Sequence, residues 1–164
     1  PALVATLEPG PYTVIVSGAD GGTGTGVVGV FELDHPESPL VNISTRAQVT
    51  GSDVMIAGFV VQGGGPRKVA VTVAGPSLGP AGIANPLANP TLTLVRQSDG
   101  TVITANDDWQ SGATAAQLLA AHFAPADPAE PGVLLLLDPG AYTAIVQGVG
   151  GTTGVAVVGV FAVP

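Results

Sequence analysis

Residues 1–34 and 131–164 align without a gap at a constant offset of 130, and 17 of the 34 positions are identical. Leu7-Glu8-Pro9-Gly10-Pro11-Tyr12-Thr13-Val14-Ile15-Val16 at the front answers Leu137-Asp138-Pro139-Gly140-Ala141-Tyr142-Thr143-Ala144-Ile145-Val146 at the back. Both runs continue through a Gly/Thr turn into Val-Val-Gly-Val-Phe, at 27–31 and 157–161. A fold that uses this stretch once, as its closing hairpin, carries a spare copy at its front. A spare copy of a structural part constrains assembly more than it constrains chemistry.

The composition narrows the class. Charged residues are 10% of 164 and apolar residues 46%, which is too apolar for a disordered chain. The 24 glycines and 15 prolines punctuate short Val-rich runs with no Gly-X-Y period, as in an all-β protein and unlike collagen. Aromatic residues are scarce, so Val, Ile, Leu and Ala must fill the core. The net charge is −8 and the basic residues are Arg46, Arg67, Lys68 and Arg96. Phosphate backbones and anionic membranes are repelled, so nucleic acid is not expected as a partner. No apolar run approaches the length of a membrane span. Cysteine is absent, which removes disulfides and thiolate metal sites. An acidic, Lys-poor chain rich in Gly, Thr and Val fits a secreted or surface protein of a bacterium. No signal-peptide pattern opens at Pro1.

Punctuation divides the chain. Leu3–Leu7, Tyr12–Ser17 and Val27–Leu33 read as three strands of a hairpin extension over residues 1–34. The two-proline stretch 35–39 reads as a linker. A module follows over 40–164, with strands at Leu40–Arg46, Val54–Val61, Lys68–Ala74, Thr91–Arg96, Thr101–Thr104, Val133–Leu137, Tyr142–Gln147 and Val155–Val163. Ser98-Asp99-Gly100 makes a hairpin turn. Ser111–Phe123 is the single helical stretch, with Ser111 as its cap and Ala115, Leu118, Leu119 and Phe123 on one face. Val54–Val61 is apolar on both faces, as a covered central strand would be, whereas Thr91–Arg96 alternates like a strand with one wet face. The expected fold is an all-β, two-sheet antiparallel sandwich, jelly-roll-like, with one short helix and an N-terminal β-hairpin extension.

Leu40-Val41-Asn42-Ile43-Ser44-Thr45-Arg46-Ala47, Val54-Met55-Ile56-Ala57-Gly58-Phe59-Val60, Val73-Ala74-Gly75-Pro76-Ser77-Leu78, Asn106-Asp107-Asp108-Trp109 and Leu137-Asp138-Pro139-Gly140-Ala141-Tyr142-Thr143 together resemble a repeated module of large bacterial secreted and surface proteins. The resemblance spans residues 40–161, and residues 7–31 look like the tail of a preceding copy. The Leu-Asp-Pro-Gly-Ala-Tyr-Thr turn and the Asp-Asp-Trp after a strand are also similar to the bacterial pre-peptidase C-terminal domain. Both likenesses imply a non-enzymatic extracellular module, often strung in tandem, and they transfer no functional residues.

Each chemical motif has a plainer structural reading. Gly75-Pro76-Ser77-Leu78-Gly79 matches a nucleophile elbow, and Asp99, Asp107 and His122 follow it. The elbow must open a helix, which Pro80, Gly82 and Pro86 forbid, so Ser77 is expected to satisfy backbone groups instead. Gly24-Thr25-Gly26-Val27-Val28-Gly29 matches a dinucleotide fingerprint, but a strand follows where a helix is required. The second copy, Gly154-Val155-Ala156-Val157-Val158-Gly159, does not keep the pattern. Asp107 and Asp108 are candidate calcium ligands, without EF-hand spacing, and a turn role is expected for them. His35 and His122 stand alone. Trp109 with Tyr12 or Tyr142 is a candidate sugar platform, with partial burial the alternative. Asn42-Ile43-Ser44 is a glycosylation sequon inside a strand. The acidic residues sit at strand ends and turns, not as a catalytic pair. No cofactor and no enzymatic activity are expected.

Strand addition supplies the expected mechanism. Tyr12, Val14, Val16, Val28, Val30 and Phe31 are the expected self-assembly contacts, on the order of 10 kcal/mol gross if all six become buried. Counted with Asp34, the six-residue stretch 34–39 would reach about 20 Å if extended. The primary expectation is therefore the subunit of an extracellular filament, joined head-to-tail to identical subunits by strand or hairpin complementation. Two alternatives stand beside it. One is a module of a tandem surface array, used in adhesion or carbohydrate or cell-wall binding; the other is an accessory domain of a secreted enzyme.

Overall fold

Period-two alternation in the Val-rich runs becomes eight strands: β1 (Asn42–Val49), β2 (Met55–Val61), β3 (Arg67–Ala74), β4 (Pro90–Arg96), β5 (Val102–Asn106), β6 (Gly132–Leu137), β7 (Gly140–Gly148) and β8 (Gly154–Val163). The computed structural model describes residues 1–33 and 39–164. Two units are resolved within it, residues 1–39 and residues 40–164. In the second unit the strands form two four-stranded antiparallel sheets, ordered β1-β8-β3-β6 and β2-β7-β4-β5. One core joins them: Val69, Val71 and Val73 from β3, Val158 and Val160 from β8, Leu92 and Leu94 from β4, and Tyr142, Ala144 and Val146 from β7. This is the expected two-sheet sandwich with one short helix. Small aliphatic side chains fill it, and Phe59 stacked on Tyr142 at 5.6 Å is its aromatic contact.

The helix is shorter than the sequence predicts. A 3-10 turn at Trp109–Ser111 precedes α1, which spans Ala115–Ala120. Ser111 does not cap it; its hydroxyl donates to the Asp108 carbonyl at 2.9 Å. Thr114 holds the N-cap position, and its Oγ1 accepts the Leu134 amide of β6 at 3.2 Å. The helix stops where His122 turns left-handed (φ 60°), with the Phe123 amide donating back to the Leu118 carbonyl at 2.9 Å and the His122 amide to that of Leu119 at 3.2 Å, the paired bonds of a Schellman motif. Leu118 is buried and Phe123 lies 5.0 Å from Phe161, so the helix covers the outer face of the first sheet. Leu119, expected on the buried face, is exposed.

The reading of Val54–Val61 as a central strand is corrected. β2 lies at a sheet edge and pairs only with β7, and its outward residues Ile56 and Val60 face solvent. Apolar residues on both faces mark a covered strand only when something covers the second face, and periodicity cannot supply that information. The Ser98–Gly100 turn forms as expected: the Arg96 amide donates to Thr101 at 2.9 Å, and Gly100 takes φ 70°.

The hairpin extension is also corrected. Among the described residues of 1–33 there is no strand, so Leu3–Leu7, Tyr12–Ser17 and Val27–Leu33 form no ladder. The back copy explains this. β7 sits between β2 and β4 in one sheet, while β8 sits between β1 and β3 in the other. A 3-10 turn at Val149–Gly151 carries the chain between the layers. From β7 to β8 the duplicated segment is thus an arch spanning two sheets, not a hairpin, and β6 before it lies beside β3 at the edge of the first sheet. Sheets stack about 10 Å apart, twice the spacing of bonded strands, so the two arms cannot bond to each other. Without neighbours, each arm lacks a ladder. Of the linker expected at 35–39, residues 35–38 lie outside the described residues.

Candidate functional site

The two copies of the arch share their local geometry. The Tyr12 hydroxyl donates to the Glu8 carbonyl at 2.8 Å, and the Tyr142 hydroxyl donates to the Asp138 carbonyl at 2.9 Å. A 3-10 turn follows in each, at Ala19–Gly21 and Val149–Gly151, with a left-handed middle residue: Asp20 at φ 52° and Gly150 at φ 63°. The turn closes with the Gly22 amide on the Ala19 carbonyl (2.9 Å) and the Thr152 amide on that of Val149 (3.2 Å). A Cβ on Gly18 would overlap the Gly22 carbonyl, and one on Gly148 would overlap that of Thr152. These are local features encoded by local sequence, and they form in both places.

Burial separates the copies. Tyr142 is 2% exposed and Tyr12 57%; Val158 is fully buried and Val28 is 51% exposed. Of the six expected contact residues, Tyr12, Val14, Val16, Val28 and Val30 correspond to core positions Tyr142, Ala144, Val146, Val158 and Val160. Phe31 corresponds to Phe161, which points to the other face of its sheet, against Phe123. The arch therefore needs three surfaces: the inside of each sheet and a cover on one outside.

Gly154 and Gly24 make the same point. At the start of β8 the segment 85–87 runs alongside, with the Leu87 amide on the Val155 carbonyl and the Val155 amide on that of Asn85, both at 2.8 Å. A Cβ on Gly154 would lie 2.5 Å from the Leu87 nitrogen, so only glycine fits. At Gly24 a Cβ would meet nothing within 4 Å. The front copy keeps the glycine although no described residue crowds it.

The other candidate residues are absorbed into structure. Ser77 donates through Oγ to Glu130 Oε1 at 2.6 Å, and the same oxygen accepts the amides of Gly75 (2.8 Å) and Ser77 (2.9 Å). Oε2 accepts the Asp127 amide at 3.3 Å. Glu130 is buried, and it staples the 75–78 loop to the 127–131 loop. The elbow motif is one side of this clamp. Glu130 went unnoticed in the sequence because a carboxylate in a Pro/Ala loop reads as solvated. Trp109 and Tyr142 are both buried, so no exposed sugar platform joins them. Asp107 and Asp108 are exposed; Asp107 lines an open cleft of about 520 Å³ with Thr50, Thr91, Gln147 and residues 148–151. Among the described residues no three carboxylate or histidine side chains gather around a metal position. His122 serves as the helix terminator, Asn42 lies at the start of β1, and His35 lies outside the described residues.

One exposed pair alters charge chemistry. Arg96 Nη2 lies 2.7 Å from Asp99 Oδ2 across the β4–β5 turn. Its guanidinium hydrogen bond, and then the Thr101 amide, hold the Asp99 carboxyl well below the ordinary carboxylate range.

No protein-family model matches the chain, and no curated protein does. Among solved structures, the chain is similar to the pre-peptidase C-terminal domain of a collagenase from Bacillus anthracis, at 16% identity and a TM-score of 0.47, covering 73% of this chain and 89% of that one.

Proposed function

We propose that this chain is a non-enzymatic, extracellular β-sandwich module from a tandem array, and that residues 1–33 are the last three strands of the preceding sandwich, the counterparts of β6, β7 and β8. The observation that carries this reading is the arch itself. It repeats the geometry of β7–turn–β8, yet it exposes the rows that β7 and β8 bury. Its receptor must offer the equivalents of β2 and β4 in one sheet and of β1 and β3 in the other. The body 40–164 has those positions filled by its own β7 and β8. Head-to-tail insertion into an identical subunit would have to expel the central strands β7 and β8 and the edge strand β6, which disfavours the homopolymeric filament. A preceding body that lacks these strands needs no such exchange. The acidic, Lys-poor composition, rich in Gly, Thr and Val, supports a place outside the cell. Adhesion, or service as an accessory domain beside a secreted enzyme, is the use such an array fits.

The repeat offset permits a direct test. Fusing residues 40–130 in front of residue 1 joins Glu130 to Pro1, as Glu130 joins Pro131 in the body. We expect the amides of 12–17 and 27–31, unprotected in the parent chain, to exchange as slowly as those of 142–147 and 157–161. Val14 is larger than its counterpart Ala144, so a Val14→Ala fusion serves as the matched control for overpacking. Arch amides that stay unprotected in both fusions would overturn the reading. The mass of the natural polypeptide provides a second check: an array predicts a mass well above 16.0 kDa.

A further inference from the structure

A β-sandwich has four strand edges, and an undefended edge is a template for pairing. Three of the four edges here are defended. β1 is polar on its outward side and carries Arg46. β5 is irregular, with a register shift opposite Leu94/Val95. β6 has edge amides already taken: Gly132 N–H donates to Asn106 Oδ1 at 2.9 Å and Leu134 N–H to Thr114 Oγ1 at 3.2 Å. β2 has none of these devices. Met55-Ile56-Ala57-Gly58-Phe59-Val60-Val61 contains no charge and no proline, and it pairs with β7 over all seven residues without a shift. Among the described residues no side chain caps its backbone. Ile56 and Val60 on its outer face are 58% and 63% exposed.

We infer that β2 pairs antiparallel with β2 of a second copy of this chain, about a two-fold axis at Gly58, joining two four-stranded sheets into one of eight strands. The sequence of β2 is self-complementary about that residue. The axis sets Ile56 of each copy opposite Val60 of the other, so both exposed apolar residues find a cross-strand partner twice over. No charges meet along the strand. Beyond its ends, the same register brings the exposed Asp53 turn of one copy toward the 63–67 turn of the other. There the Arg67 guanidinium lies close beside Gly63. Opposite charges thus meet at both ends, which favours a second copy over a foreign strand. The contact is small, so a single pair associates weakly, and a row of modules strengthens it by multivalency. The inference does not depend on the array reading, because β2 belongs wholly to the body 40–164.

The register can be trapped in the full chain, which contains no cysteine. A Cβ on Gly58 would sit 3.9 Å from the Tyr142 carbonyl, an ordinary contact, so Gly58→Cys is tolerated. Residues facing each other across an antiparallel pair have Cα atoms about 4.5–5.5 Å apart, within the span of a disulfide. We expect G58C to form a disulfide dimer under mild oxidation, while I56C, which would face Val60, and S44C on the β1 edge do not. Sedimentation of the parent chain up to about 0.5 mM should show a reversible dimer, a range that populates low-area contacts. Ile56→Lys/Val60→Lys should weaken it by at least about tenfold. Val14→Lys/Val28→Lys, on the arch, should not. The proposal is overturned if the chain stays monomeric, which would leave the edge to a strand of another protein. It is equally overturned if only the arch variant dissociates the dimer, or if G58C cross-links no better than S44C.

Discussion

Glu130 shows how much one side chain can hold. Its carboxylate gathers three N–H groups and one hydroxyl from two loops that have no strand to organise them. Removing it leaves the buried Gly75 amide and the part-buried donors of Ser77 and Asp127 unpaired. We expect Glu130→Ala to lower unfolding free energy by about 2–4 kcal/mol in urea titrations, and Ser77→Ala by about 1 kcal/mol. At Asp99 the prediction concerns pH. The folded carboxyl titrates below its unfolded value of 3.8 because Arg96 stabilises the anion. Its contribution is complete above the ordinary carboxylate range and is lost as pH falls through the folded value. Asp99→Asn should therefore unfold earlier than the parent at neutral pH, and the difference between their midpoints should close in strong acid. The pair is open to solvent, so the effect is small and salt-sensitive. Of these two sites the sequence displayed one. Ser98-Asp99-Gly100 announces a turn, whereas nothing near Glu130 announces burial, because three of its four donors come from Gly75 and Ser77, more than fifty positions away.

At the scale of the element, the arch is one segment in two environments, which makes it its own control. Tyrosine-to-carbonyl bonds, left-handed turn residues and crowded glycines recur in both copies, since each depends on neighbours within a few residues. The ladder recurs in one copy only. Gly154 and Gly24 give the sharpest comparison. Gly154→Ala should cost about 2–4 kcal/mol, because a Cβ there meets backbone that cannot give way. Gly24→Ala should be silent in the parent chain, and should cost a similar amount in the fusion that supplies residues 85–87 to the front copy. Thermal unfolding of the four proteins reads both numbers. A silent Gly24→Ala in the fusion would mean that the front arch does not seat as β7–β8 does.

For the whole molecule, the core belongs to one unit. Every residue of the buried cluster lies between Val49 and Val160. Residues 40–164 alone should therefore melt within about 4 °C of the full chain, some 1 kcal/mol for a body of this size. The front segment, freed of the body, should show no cooperative transition, because an arch without a ladder has too little to bury. A body that loses cooperativity when 1–39 is removed would contradict the division of the chain into a complete sandwich and a part of another.

Strand positions, the β4–β5 turn, the all-β class and the doubled arch could all be read from the residues, because each is written in spacings of a few positions: alternation, turn chemistry and a repeat at a fixed offset. Their partners could not. Whether Val54–Val61 lay at a centre or an edge, whether the doubled segment was a hairpin or an arch, and whether Glu130 faced water or a ring of donors depended on which distant strands came alongside. Pairing across more than a hundred residues, as between Asn42 and Phe161, leaves no mark on either segment alone. Local conformational preference is a property of the chain, whereas burial and strand pairing are properties of the neighbours that folding brings together.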